Sequence, residues 1–246
     1  MNSSKRNGIV ALAVVAVIAI VVGIGYAVQS QRDTTGENAA APGDPSSTAT
    51  SGASPGGTAT AGDGPKVALA DTFGVGVGDP GAPVKVEVFE DFLCPFCRQF
   101  EAASHDDLRQ AAADGKAYVV YRPIAFLNEY STRSLNAFGV VLDASGGAVA
   151  LELHDLLYEN QPDEGGTMPD DDWLISKAVE AGASEDAIRP GIEDLSFKQW
   201  MINGNDDASQ RGVNSTPTVF VNGDVVQGSS IEDLAAQVQA RIDSGS

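Results

Sequence analysis

Thiols, imidazoles and cations are all scarce in this chain of 246 residues: two cysteines, two histidines, and 15 Lys and Arg. Two cysteines can neither staple a disulfide-rich scaffold nor close a four-sulfur metal site. The histidines, His105 and His154, stand too far apart for a zinc-finger pair. Both fall in acid-rich helical stretches and read as solvated or partly packed side chains without a catalytic role. Against 34 Asp and Glu the few cations leave a formal net charge of −19, which repels phosphate backbones and excludes nucleic acid as the partner. Aromatics are only 7%, but 43% of the residues are hydrophobic, enough to build a core and to exclude wholesale disorder.

Charge is absent altogether from residues 9–28, IVALAVVAVIAIVVGIGYAV. At about 1.5 Å per residue this run crosses a ~30 Å hydrocarbon core. Lys5 and Arg6 precede it and favour a cytoplasmic N-terminus, residues 1–8, with the rest of the chain outside the membrane. The alternative is a cleaved signal peptide with Gly25 and Ala27 as its small-x-small site, but the length of the apolar run favours a retained anchor. Residues 29–65 lose apolar periodicity and reduce to Gly, Ala, Ser, Thr, Pro and a few acids. They read as a disordered tether spanning roughly 30–35 Å. The remainder of the chain, 66–246, has the length of one domain and carries nearly all of the negative charge.

Within that domain, Val84–Glu90 alternates as a strand and Ala117–Arg122 reads as a second one stopped by Pro123. Cys97–Ala113 lies between them with helical spacing. Helical character then dominates: Thr132–Ala144, Ala148–Glu159, Asp170–Ala181, a short piece near Ser184–Ile188, and Ser196–Arg211 with Gly212 as its C′ residue. Thr218–Val221 and Asp224–Gln227 flank Asn222-Gly223, a hairpin signal, and Ile231–Ile242 closes the domain as a helix.

Both cysteines belong to one motif, Cys94-Pro95-Phe96-Cys97, placed directly after a strand and opening a helix. A helix N-terminus offers unpaired N–H groups and the positive end of the dipole, which stabilise a thiolate on the first cysteine. Pro95 then occupies the first helical position, where its missing N–H costs nothing. Cys94 is expected to be the exposed nucleophile and Cys97 the more buried partner that resolves a mixed disulfide. A zinc site lacks two further ligands, and a purely structural disulfide across so small a loop stabilises little. A reversible redox dithiol remains. Phe96, held between the cysteines, is expected to face substrate, while Phe89 reads as core.

A second motif, Ser215-Thr216-Pro217-Thr218, leads into the apolar strand TVFV. Together with KVEVFEDFLCPFCRQFE and GVNSTPTVFVNGDVVQG, the chain from about Thr72 resembles the DsbA-type branch of the thioredoxin superfamily, in particular its membrane-tethered extracytoplasmic members. The resemblance implies an α/β thioredoxin fold with a helical insertion at about 125–212. It also implies thiol–disulfide exchange through Cys94 and Cys97, with Pro95, Phe96, Thr216 and a cis Pro217 contacting substrate. The implied partners are cysteine-containing secreted proteins and a quinone-linked membrane protein of the DsbB or VKOR kind that restores the disulfide. No metal or organic cofactor is required, and a monomer is expected.

The chain departs from that pattern at one point. Many members carry a buried acid six residues before the first cysteine, and here Val88 stands there. Glu87 and Glu90 are expected to face away from Val88 on an alternating strand, leaving water, Glu90 or Asp91 to move the proton of Cys97. Glu90 and Asp91 should also raise the Cys94 pKa, which points to a milder oxidant than the most oxidising members, at about −120 mV. Two rivals stand beside an oxidase: a tethered reductase of the same fold, and a non-catalytic peptide-binding or chaperone-like module.

Overall fold

The alternating, β-branched sequence VKVEVFE forms β3 (Val84–Glu90), the strand on which the site is built. It is buried on both faces apart from Lys85. The computed structural model describes residues 65–246. The expected anchor at 9–28 and nearly all of the expected tether at 29–65 lie outside the described residues, among which no helix is long and apolar enough to cross a membrane.

β4 (Ala117–Pro123) runs parallel to β3 on one side and β5 (Thr218–Val221) antiparallel on the other, so Val86 faces Val119 and Val221. Parallel neighbours need a crossover, and α1 (Pro95–Ala113) supplies it. The Asn222-Gly223 turn, with φ of 51° and 90°, joins β5 to β6 (Asp224–Val225) as a two-residue hairpin. A pair that the sequence did not reveal completes the sheet: β1 (Val67–Asp71) lies antiparallel on β2 (Gly74–Val77), and β2 antiparallel on β4. The strand order is β1-β2-β4-β3-β5-β6.

Even-numbered residues of β3 face one side, where Val84, Val86 and Val88 pack with Phe100 and Leu108 of α1 and with Leu234 and Val238 of α7 (Ile231–Ser244). On the other side Phe89 packs with Ile124, Ala208, Val213 and Phe220. This corrects the expectation for Glu90. Lying two residues beyond Val88, it shares that residue's face, because the side-chain period of a strand is two; only Glu87 points away.

Between β4 and β5 run α2 (Glu129–Ser145), α3 (Gly147–Glu159), α4 (Asp171–Glu180), α5 (Glu185–Glu193) and α6 (Lys198–Gln210). Polar caps fix the starts of two of them: Asn128 accepts from the amides of Tyr130 and Ser131, and Asp170 from that of Trp173. Beyond Arg211 at the end of α6, Gly212 takes φ +82°, the left-handed C′ residue that lets the chain turn into the Ser215–Pro217 loop. The insertion has its own core, and Phe92, Leu93, Cys94 and Cys97 belong to it together with Tyr130, Phe138, Leu153 and Leu157. The dithiol therefore sits where the sheet's end meets the helical insertion.

Candidate active site

Cys94 is the N-cap of α1, in extended conformation, and Pro95 opens the helix behind it. The amides of Cys97 and Arg98 donate to the Cys94 carbonyl at 3.1 and 3.2 Å. Across the site the Thr216–Pro217 peptide is cis, and the Cys94 thiol donates to the Thr216 carbonyl at 3.4 Å. Both cysteines are free thiols. Cys94 is only 5% exposed and Cys97 fully buried, so their order is the expected one although neither is openly exposed. A hydrogen bond from Cys97 lowers the Cys94 pKa to about 6; burial opposes it, while the Thr216 side chain and the amides of Cys97 and Phe96 assist. Burial pushes Cys97 the other way, well above the ordinary thiol range, and the neighbouring Cys94 and Glu90 add to this. Glu90 thus acts on Cys97, and the support around Cys94 outweighs the acids expected to raise it.

Glu90 is completely buried. Its Oε1 lies 2.7 Å from His154 Nε2, and its Oε2 has no hydrogen-bond partner. Burial raises the Glu90 carboxyl to about 7, with the His154 charge holding it down and Glu101 pushing it up. His154, expected to be solvated or partly packed, is instead fully buried. Its Nδ1 meets Asp155 Oδ1 at 2.8 Å, and Arg109 grips that same carboxylate with Nη2 at 3.1 and 3.0 Å. Burial alone would strip the ring of its proton, but Glu90 and Asp155 on either side raise it to about 10. The donor atoms of Glu90, Glu101 and His154 lie within 4.8 Å of one another. His154 faces Glu90, and His105 Nδ1 lies 3.6 Å from Glu101 Oε2.

Asp91 is spoken for. One oxygen accepts from the Leu93 amide and the Ser131 hydroxyl at 2.9 and 2.7 Å, the other from the amides of Phe126 and Leu127 at 2.7 and 3.3 Å. It ties the cysteine turn to the loop before α2. Among the described residues, the buried carboxylate oxygens left without a hydrogen-bond partner are Glu90 Oε2 and both oxygens of Glu101, and the charge of Glu90 is one that raises Cys97. Gln161, which carried no sequence signal, donates to the carbonyls of Phe92 and Cys94 at 3.0 and 3.1 Å and holds the turn from the other side. Phe96 is 57% exposed and Phe89 is core. Phe96 stands at the rim of a groove of about 480 Å³ that Thr216, Pro217, Val225, Gly228 and Ile231 also line.

The sequence pattern of the thioredoxin family matches residues 72–240. A probable disulfide bond formation protein D of Bacillus cereus is 25% identical over 152 residues, covering 61% of this chain and 70% of that one. Reduced DsbA of Mycobacterium tuberculosis superposes with a TM-score of 0.56 at 27% identity, over 75% of this chain and 98% of that one. Oxidised BdbD of Bacillus subtilis shares the fold, with a TM-score of 0.63 at 20% identity over 69% and 91%. A thiol of lowered pKa at a helix N-terminus, a buried second thiol of raised pKa and a cis-proline loop against the first form an arrangement able to carry out disulfide exchange. The chain belongs to the thioredoxin family, as a DsbA-like thiol:disulfide oxidoreductase.

Proposed function

We propose that the protein introduces disulfides into cysteine-containing secreted or cell-envelope proteins, working outside the membrane to which residues 9–28 anchor it. The observation that carries this reading is the inequality of the two thiols: Cys94 ionises near pH 6 and Cys97 stays protonated. Starting from the Cys94–Cys97 disulfide, a substrate thiolate attacks Cys94 Sγ. The S–S bond breaks and its electron pair leaves on Cys97 Sγ, which takes a proton from Glu90. The substrate's second thiolate then attacks the mixed disulfide and expels Cys94 as a stabilised thiolate, a good leaving group. The substrate ends oxidised and the dithiol reduced.

An extended substrate segment fits the groove beside Phe96, Thr216 and Pro217. No metal or organic cofactor enters these steps. A quinone-linked membrane partner of the DsbB or VKOR kind removes the two electrons, and the protein acts as a monomer. The relative named as a disulfide bond formation protein D supports the oxidative direction. Trapping thiols in living cells tests it: the oxidase requires mostly oxidised Cys94–Cys97, whereas a mostly reduced pair establishes the reductase. Insulin reduction or scrambled-ribonuclease refolding by Cys94→Ser must collapse; undiminished activity in that variant would leave only a peptide-binding module.

A further inference from the structure

His154 is held more tightly than packing alone requires. Both ring nitrogens are engaged, Nε2 by Glu90 at 2.7 Å and Nδ1 by Asp155 at 2.8 Å. Three aromatic rings fix its plane: Tyr121, Tyr158 and Phe92, with centroids at 4.8, 5.0 and 5.8 Å. Asp155 is in turn fixed by Arg109. An imidazole between two carboxylates keeps both protons and donates in both directions. Its Nε2–H therefore occupies Oε1 of Glu90, and the acid's own proton is confined to Oε2, the oxygen without a partner.

We propose that His154 is a positioning residue of the redox centre: clamped by Asp155, it ties down Glu90 Oε1 so that Oε2 alone takes and returns the proton of Cys97. This rests on the proposed function, in which Glu90 serves Cys97. In the direction that restores the disulfide, Cys94 thiolate attacks an external disulfide and one thiolate departs, leaving a mixed disulfide. Cys97 passes its proton to Glu90 Oε2, its thiolate attacks Cys94 Sγ, the new S–S bond forms, and the second thiolate leaves. In the reverse direction the same oxygen returns the proton.

The groups that face Glu90 are Cys97 and Glu101 from α1, His154 and Tyr158 from α3, and Tyr121 from β4; Arg109 lies over the Tyr121 ring at 5.4 Å. Of these, His154 supplies the charge that holds the Glu90 carboxyl down. Replacing it by glutamine leaves burial and Glu101 opposed mainly by Tyr158, so Glu90 becomes a base only at higher pH.

The experiment reacts the reduced full chain with oxidised glutathione between pH 5 and 9. Acid quenching and mass spectrometry then count the glutathionylated intermediate on Cys94. Its decay reports Cys97 and Glu90, whereas its formation reports Cys94 alone. In the wild type, decay accelerates through a midpoint near the Glu90 value of about 7. In His154→Gln the midpoint moves up by about one pH unit or more and decay at pH 7 slows on the order of tenfold, while formation is unchanged. Asp155→Asn, which weakens the clamp without touching Glu90, moves the midpoint in the same direction by less. A folded His154→Gln with the wild-type midpoint overturns the proposal; should that variant not fold, an unmoved midpoint in Asp155→Asn does so. Glu90→Gln separates the two ideas, because a wild-type profile in that variant removes the role given to Glu90 itself.

Discussion

Thiol–disulfide exchange runs through the thiolate, so the reactivity of Cys94 follows the fraction that is ionised. With Cys97 donating to its sulfur and the pKa lowered to about 6, Cys94 is mostly thiolate at neutral pH, and Cys97, raised well above the ordinary range, is not. Alkylation of the reduced protein with iodoacetamide should therefore modify Cys94 alone, its rate rising with pH to a midpoint of about 6. A midpoint at the free-thiol value of about 8.5 would show that the helix end and Cys97 do not activate it. This pair was legible in the sequence because everything it needs is local: a strand, a four-residue motif and a helix start. The acid beside it was half legible: Glu90 stands among the residues that the sequence offers for proton transfer, and its face follows from the strand period of two. But His154 stands 64 positions from the carboxylate it binds, a pairing that only the packing of α3 on the sheet creates.

On the face of the sheet opposite α1 and α7, one carboxylate ties several elements together. Glu87 of β3 accepts from Arg122 of β4 at 2.8 Å and from Arg211, at the end of α6, at 3.1 and 2.9 Å; Arg122 also reaches Asp71 of β1. Both guanidiniums lie over the Phe89 ring, at 5.8 and 4.8 Å. Burial works against the Glu87 charge, but Arg211 and Arg122 outweigh it and hold the carboxyl below its usual range. Glu87→Gln should cost about 2–4 kcal/mol at pH 7, since Arg122 and Arg211 lose their shared partner in a buried setting and the exposed Lys85, at 3.3 Å, loses it too. A depressed carboxyl contributes stability that is present above the unfolded value and lost as pH falls through the folded one. The gap between wild type and variant should accordingly shrink below about pH 4. Urea unfolding at both pH values checks this, and near-equal stability at pH 7 contradicts it. The helices were readable from apolar spacing and caps, but the β1–β2 hairpin was not. Its strands are short, and GVGV has little side-chain pattern to read. The glycine at Gly76 answers to a neighbour on another strand, because a Cβ there would collide with the Tyr118 hydroxyl.

At the scale of the molecule, the dithiol belongs to the core of the insertion where that meets the end of the sheet, and its redox state changes what this region contributes to stability. Only the reduced protein carries the Cys94 thiolate, whose folded pKa of about 6 lies below the free-thiol value of about 8.5. A depressed acid stabilises the folded form fully above the unfolded pKa and loses that contribution as pH falls through the folded one. Glu90, His154 and the Glu87 network are present in both redox forms and largely cancel in the comparison, as does the acidic surface behind the net charge of −19. The oxidised form, closed by a very small loop, gains little chain entropy from its disulfide. Reduced minus oxidised stability should therefore be nearly flat below pH 6 and climb between pH 6 and 8, with a slope approaching about 1.4 kcal/mol per pH unit. Parallel thermal unfolding of the two forms across that range reads the slope directly as a widening difference in Tm. The proposed oxidising direction requires a reduced form more stable than the oxidised one, so a reduced form that unfolds first at pH 7 would contradict both the thiolate's role and that direction.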